Sequence, residues 1–180
     1  MSTFYQRLLQ ETEQERNAFL SIPLLHQAVA GELSEELYLS FLKQAYHHVK
    51  HTTPLLMACG SQLPERLEWL REAVGEYIEE EMGHQEWILN DIAALGEDKE
   101  AVRYGTPNIE TELMVSYAWD TIQRRNPVGF FGMVLVLEGT SVELAVRAAD
   151  AIETTLELPK EAFSYLRSHG SLDIEHVDFY

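Results

Sequence analysis

Carboxylates and imidazoles recur at helical spacing in three separate stretches of the sequence: Glu81-x-x-His84, Glu138, and His169-x3-Asp173-x2-His176. Such nitrogen and oxygen donors, without sulfur, suit iron or manganese, with zinc as a competitor. Short acid–histidine pairs mean little alone, because seven histidines and thirty acids in 180 residues produce about as many by chance. Their placement carries more weight. Leu70, Val74, Tyr77, Glu81, His84, Ile88, Ile92 and Leu95 follow the four-and-three spacing of the stripe that a helix lays against its neighbours, with Glu81 and His84 in its middle. A second stripe, Phe131, Val134, Glu138, Ser141, Ala145, Ala148 and Ile152, holds Glu138 directly after the uncharged run Gly129 to Leu137. A third puts His169, Asp173 and His176 on one face between Leu166 and Tyr180, although Gly170 and Ser171 allow a kink there.

An isolated carboxylate in low dielectric costs more than a domain's whole stability margin, so something must balance three of them. A buried salt bridge, protonation or packing in a dimer interface would each serve. No lysine or arginine lies on the three stripes, however, whereas three histidines do. A divalent cation would neutralise the acids and take the imidazoles as ligands in one step. Six candidate ligands exceed the three or four of a compact zinc tetrahedron and favour two ions. Tyr77, one turn before Glu81, and Tyr180, one turn after His176, are candidate hydroxyl donors or electron sources beside such a site, or ordinary core aromatics.

The elements that carry these residues are helices, since apolar residues recur three and four apart almost throughout and no stretch alternates as a strand does. Breakers divide the chain into a first helix to about Leu20, a short one ending at Gly31, and a long second helix that Ser34 caps and that runs to Cys59-Gly60. A third spans Glu65 to Leu95, closed by Gly96; a fourth Ile109 to Arg125; a fifth Val128 to Leu156. Pro159 opens the last helical stretch. The expectation is one all-α domain over residues 1–180, a bundle of six or seven helices.

With 46% apolar residues the chain can bury a sizeable core. It has no run of about 18 apolar residues for a membrane span and no apolar signal core at its start, so a soluble, cytoplasmic protein is expected. The single cysteine excludes an intrachain disulfide and a cysteine-based cluster. A formal charge of -17 repels phosphate backbones and anionic membranes, which argues against nucleic acid and membrane as partners.

In order and approximate spacing, Glu81-x-x-His84, Glu138 and His169-x3-Asp173-x2-His176 resemble the ligand set of the haem-oxygenase-like di-iron oxidases, the metal-dependent branch of the TenA-like superfamily. Ile22-Pro23-Leu24-Leu25-His26 followed by Ala30-Gly31-Glu32-Leu33-Ser34 is similar to that superfamily's N-terminal signature. The resemblance implies a haem-oxygenase-like bundle, frequent homodimerisation, two irons with a bridging carboxylate, and O2-driven oxidation of a small organic substrate. By analogy Glu81, His84 and His169 belong mainly to one iron and Asp173 and His176 mainly to the other, with Glu81 or Glu138 bridging. Some members add a carboxylate on the second helix, where this chain has Ala45-Tyr46-His47-His48-Val49-Lys50-His51. His48, bordering the apolar stripe, is a further candidate ligand; His47 and His51 fall on the side of Lys43 and Lys50, where solvent is expected. Relatives continue through another helix after the last ligand, whereas Tyr180 follows His176 by only four residues, so a C-terminal helix of the family is expected to be missing.

Phe130, Phe131, Met133, Val134 and Trp119 are read as core that also offers apolar walls to a substrate pocket. Other functions within the superfamily are a thiamine-related hydrolase with a cysteine nucleophile, or a metal-binding or regulatory protein. Cys59, in Met57-Ala58-Cys59-Gly60, has no acid or histidine at helical spacing to activate it.

Overall fold

The computed structural model describes residues 3–168, apart from the side chains of residues 140–143. Among the described residues ten bounded α-helices follow one another: α1 (Phe4–Glu11), α2 (Glu13–Leu20), α3 (Pro23–Ala30), α4 (Glu35–Val49), α5 (Thr52–Gln62), α6 (Glu68–Glu81), α7 (His84–Ala94), α8 (Lys99–Arg103), α9 (Ile109–Asp120) and α10 (Phe130–Leu156), and residues 164–168 are again α-helical. Short 3₁₀ turns cover Glu65–Leu67, Pro127–Gly129 and Lys160–Phe163, and Thr121–Arg125 is wound as a π-helix. The all-helical expectation is met, and no strand occurs among the described residues. The larger number of helices has two origins: three of the long rods expected from the spacing are each broken once, and α8 adds a short helix between Gly96 and Gly105. The first rod splits at Thr12, the second at Lys50-His51 and the third at Met82-Gly83.

Local chemistry explains most of the ends. Thr3 and Gln6 form a reciprocal capping box on α1, with Gln6 N donating to Thr3 Oγ1 at 3.2 Å and Thr3 N to Gln6 Oε1 at 2.9 Å. Pro23 occupies the first turn of α3, where its missing N–H costs nothing. Asp98 caps α8 through the N–H groups of Glu100 and Ala101, and Asn108 caps α9 through Thr111 N at 3.0 Å. Gly96 ends α7 at a φ of 82°.

The chain forms two compact units, Met1–Glu35 with Leu135–Tyr180, and Glu36–Val134. In the first, α3 ends against α10. Gly31 holds a φ of 71°, and a β-carbon there would lie 2.5 Å from Thr155 Oγ1 and 3.1 Å from the Ala151 carbonyl oxygen. Gly31→Ala therefore meets both backbone strain and a wall, and is expected to destabilise by about 2–3 kcal/mol. Thermal unfolding checks this, with a fall of about 4–12 °C for a chain of this size. Arg167 fixes the segment after α10, its guanidinium bonding Asp150 at 2.9 Å and Glu153 at 2.5 Å.

In the second unit α5 packs along α6, and Leu55, Leu56 and Cys59 meet Val74 and Tyr77 in a core completed by Ile122, Phe130 and Val134. Arg71 on α6 secures the intervening turn by donating to the carbonyls of Gly60 and Leu63. Trp119, Phe131 and Met133 pack against the same cluster, in keeping with their reading as core. Among the described residues no single helix is long and apolar enough to cross a membrane.

Candidate metal centre

Glu81 is the last residue of α6 and His84 the first of α7. The pair was expected on one continuous helix; instead the backbone turns between them. Met82 is extended, at φ -68° and ψ 114°, and Gly83 is left-handed, at φ 99° and ψ -4°. The turn nevertheless brings the two side chains together, with His84 Nδ1 3.2 Å from Glu81 Oε2. Both residues are buried, 4% and 3% exposed respectively. The second carboxylate oxygen, Glu81 Oε1, is enclosed and has no hydrogen-bond partner among the described residues. Buried polar atoms are nearly always bonded, and an ionised oxygen left without a donor is among the costlier exceptions. Its lone pairs therefore form an acceptor site for a cation or a proton.

The neighbours hold this pair in place. Trp87 stacks on the His84 ring, with centroids 4.1 Å apart. Arg103 on α8 grips Glu86 on α7 in a two-pronged bond of 2.6 and 2.9 Å and reaches Glu100 through Nε. The guanidinium holds the Glu86 carboxyl below the usual carboxylate range. Glu86, one of the acids set apart from the seam, is thus engaged in tying the first turn of α7 to α8. Tyr77 lies one turn before Glu81 within the core cluster and is buried.

Other candidates divide by location. Glu138 lies on α10 in the first unit, and its Oε2 is enclosed. His169, Asp173, His176 and Tyr180 lie outside the described residues. Among the described residues, no group of three or more His, Cys, Asp and Glu side chains is placed to hold a metal ion. His48 is half-buried near the end of α4. His47, expected in solvent, is buried instead, 3% exposed, its ring set edge-on to Tyr46 with centroids 5.3 Å apart. Its Nδ1 lies 3.2 Å from Lys50 Nζ, and burial first, then the Lys50 and His51 charges, holds it below the ordinary histidine value. The neutral ring accepts from the ammonium. Asp91, fully buried on α7, escaped the sequence reading. The signal was present, since Asp91 follows His84 by seven residues, two helical turns on the same face.

Cys59 is fully buried, donates its S–H to the Pro127 carbonyl at 3.3 Å, and has its thiol pushed up to about 11 by burial. A nucleophile needs the opposite environment. The native protein is expected to resist a disulfide-exchange reagent at pH 8 at least about 100-fold longer than the guanidine-unfolded chain, as followed by thiol titration.

A sequence profile of a family described as iron-containing redox enzymes matches residues 39–180. No curated protein matches the chain. Among solved structures, a domain of unknown function with a haem-oxygenase-like fold from Shewanella denitrificans superposes with a TM-score of 0.83 at 24% identity, covering 99% of this chain and 77% of that one. A TenA homologue from Pseudomonas syringae pv. tomato gives 0.74 at 15% identity, covering 94% and 76%. A TenA homologue from P. horikoshii gives 0.72 at 16%, covering 99% and 81%. At these identities the structures establish a haem-oxygenase-like, TenA-like fold and nothing of chemistry.

Proposed function

Because the chain belongs to the family of iron-containing redox enzymes, we propose that it is a non-haem di-iron oxidase that uses O2 to oxidise a small organic substrate. The observation that carries this reading is the buried carboxylate oxygen Glu81 Oε1, without a hydrogen-bond donor among the described residues and adjoining a buried imidazole. Structural polar networks satisfy their members; an oxygen left open in the interior suits a ligand whose cation is yet to be supplied.

The residues fit iron. Glu81, His84, Glu138, His169, Asp173 and His176 would hold two ions, with His48 as a further donor. Their carboxylate-rich, sulfur-free set suits iron or manganese better than a structural zinc. When bound, ferrous iron would supply the reducing electrons and Lewis acidity that O2 activation needs. The chain's own contribution is positioning and exclusion of water. Trp87 fixes the plane of His84, Arg103 anchors α7 through Glu86, and the apolar core around Tyr77 keeps that flank dry. Hydrolysis by a cysteine nucleophile draws no support from the sealed environment of Cys59.

Oxygen uptake tests the reading. Iron-loaded protein should consume O2 on mixing, zinc-loaded protein should not, and Glu138→Ala or His169→Ala should lower uptake at least about 100-fold. Equal uptake by the zinc form and both variants would remove the basis for an oxidase.

A further inference from the structure

On α9 the outermost ridge is apolar. Ile109, Leu113 and Tyr117 follow one another at four-residue spacing and are 63%, 60% and 61% exposed, while Thr111, Val115 and Ala118 on the opposite face are buried. α4 lies beside the start of α9 and carries exposed apolar side chains of its own. Gln44 Oε1 accepts from Asn108 N at 3.0 Å and Thr111 Oγ1 at 2.9 Å, which pins α4 to the start of α9, and Phe41 and Leu37 lie three and seven residues before Gln44 on the same helix face. Monomeric proteins rarely leave so long an apolar ridge in water without a use for it.

Charge along α9 is polarised. Glu110 and Glu112 occupy its first turn. At the other end α9 runs on into the π-helical Thr121–Arg125, and the Arg125 guanidinium lies over the Tyr117 ring, 5.3 Å from its centroid, while bonding the Tyr117 hydroxyl at 3.3 Å. Arg124 and Arg125 share a single acid, Asp120, so this end keeps surplus positive charge. The ridge is also symmetric about its centre, because Ile109 and Tyr117 are each four residues from Leu113.

We propose that α9 is a self-association face, on which two copies of the chain pair their α9 helices antiparallel about a two-fold axis through Leu113. Leu113 then meets its own counterpart, and each Ile109 meets the other copy's Tyr117. Antiparallel pairing also sets the Arg125 end of each copy beside the Glu110 and Glu112 end of the other, which is the complementarity an isologous contact requires. The five apolar side chains contribute on the order of 400–500 Å² per copy, more than half of the roughly 800 Å² per partner of a stable interface. Parallel pairing would set acid against acid. A membrane is the poorer occupant, since acids flank the ridge and the chain carries a formal charge of -17.

Sedimentation equilibrium of the full chain at tens of micromolar should give twice the 20.6 kDa chain mass. Leu113→Lys, which places two ammonium groups on the axis, should weaken association at least about 30-fold while leaving the circular dichroism unchanged, and its melting temperature, unlike the parent's, should not rise with protein concentration. Leu113→Cys should form an intermolecular disulfide under mild oxidation much faster than a cysteine at the exposed Glu15 position, as Cys59 is buried. A monomeric parent, a Leu113→Lys protein that still dimerises, or equal cross-linking at Leu113 and Glu15 would overturn the proposal. Cosedimentation of the monomer with phosphatidylcholine vesicles would overturn it in favour of lipid.

Discussion

Stripped of metal, the Glu81→Gln protein unfolds at a higher temperature than the metal-free parent, yet gains almost nothing when ferrous iron is added. Both halves follow from one enclosed oxygen. In the apoprotein Glu81 Oε1 has lost its water and has no hydrogen-bond partner among the described residues. Neutralising the group keeps shape and volume and removes the penalty of burying an anionic oxygen without a donor, which exceeds the roughly 1–3 kcal/mol of a neutral unsatisfied group, so a net gain of about 1–2 kcal/mol is expected. For 180 residues that is about 2–8 °C. The parent, in turn, should gain about 2.7 kcal/mol from anaerobic ferrous iron at a hundred times its dissociation constant. The variant lacks the anionic ligand and should recover less than a third of that gain. Paired melts with and without iron read both effects. A lower apo melting temperature with an undiminished iron response would make Glu81 a structural partner of His84 and nothing more.

Gly83→Val should damage the same site through the backbone alone. A β-carbon at Gly83 would meet nothing within 4 Å, so sterics with neighbouring groups play no part. The cost comes from φ 99°, which a β-branched residue adopts only under strain of about 1–3 kcal/mol. Relieving that strain means rewinding the joint between α6 and α7, which would separate the Glu81 carboxylate from the His84 ring. Iron affinity should fall at least about tenfold, whereas Gly83→Asn, whose side chain tolerates left-handed backbone, should retain most of it. Calorimetric iron titration of the two variants distinguishes a hinge that sets the site from a dispensable bend, for which both would bind as the parent does.

Gly83 also shows what the amino-acid sequence did and did not disclose. The four-and-three stripe from Leu70 to Leu95 correctly marked Glu81 and His84 as inward-facing, because burial selects residue type whether or not the helix is continuous. It could not reveal the break, since one glycine inside a helical pattern costs only about 1 kcal/mol and is usually tolerated. The break between α4 and α5 was legible in principle. Pro54 is the third residue of α5, and a proline whose N–H would otherwise be bonded belongs in a first turn. Reading it so would have started α5 at Thr52 and shown that His47 need not share a solvated face with His51. Gly31, Gly96, Asn108 and Pro127, by contrast, ended or began helices where their chemistry says they must. The π-helical Thr121–Arg125 segment has no single-residue signature, because it depends on how the chain re-enters the core at Ile122.

Acids and imidazoles from separate helices, on the proposed reading, share cations whose charge offsets their burial. Equilibrium dialysis of the anaerobic apoprotein against ferrous iron, with metal counted per chain, tests it most directly. The parent should saturate at about two irons, with a clear deficit in Glu81→Gln and His176→Ala alike. Retention of no iron by the parent, or the same iron content in all three proteins, would contradict it.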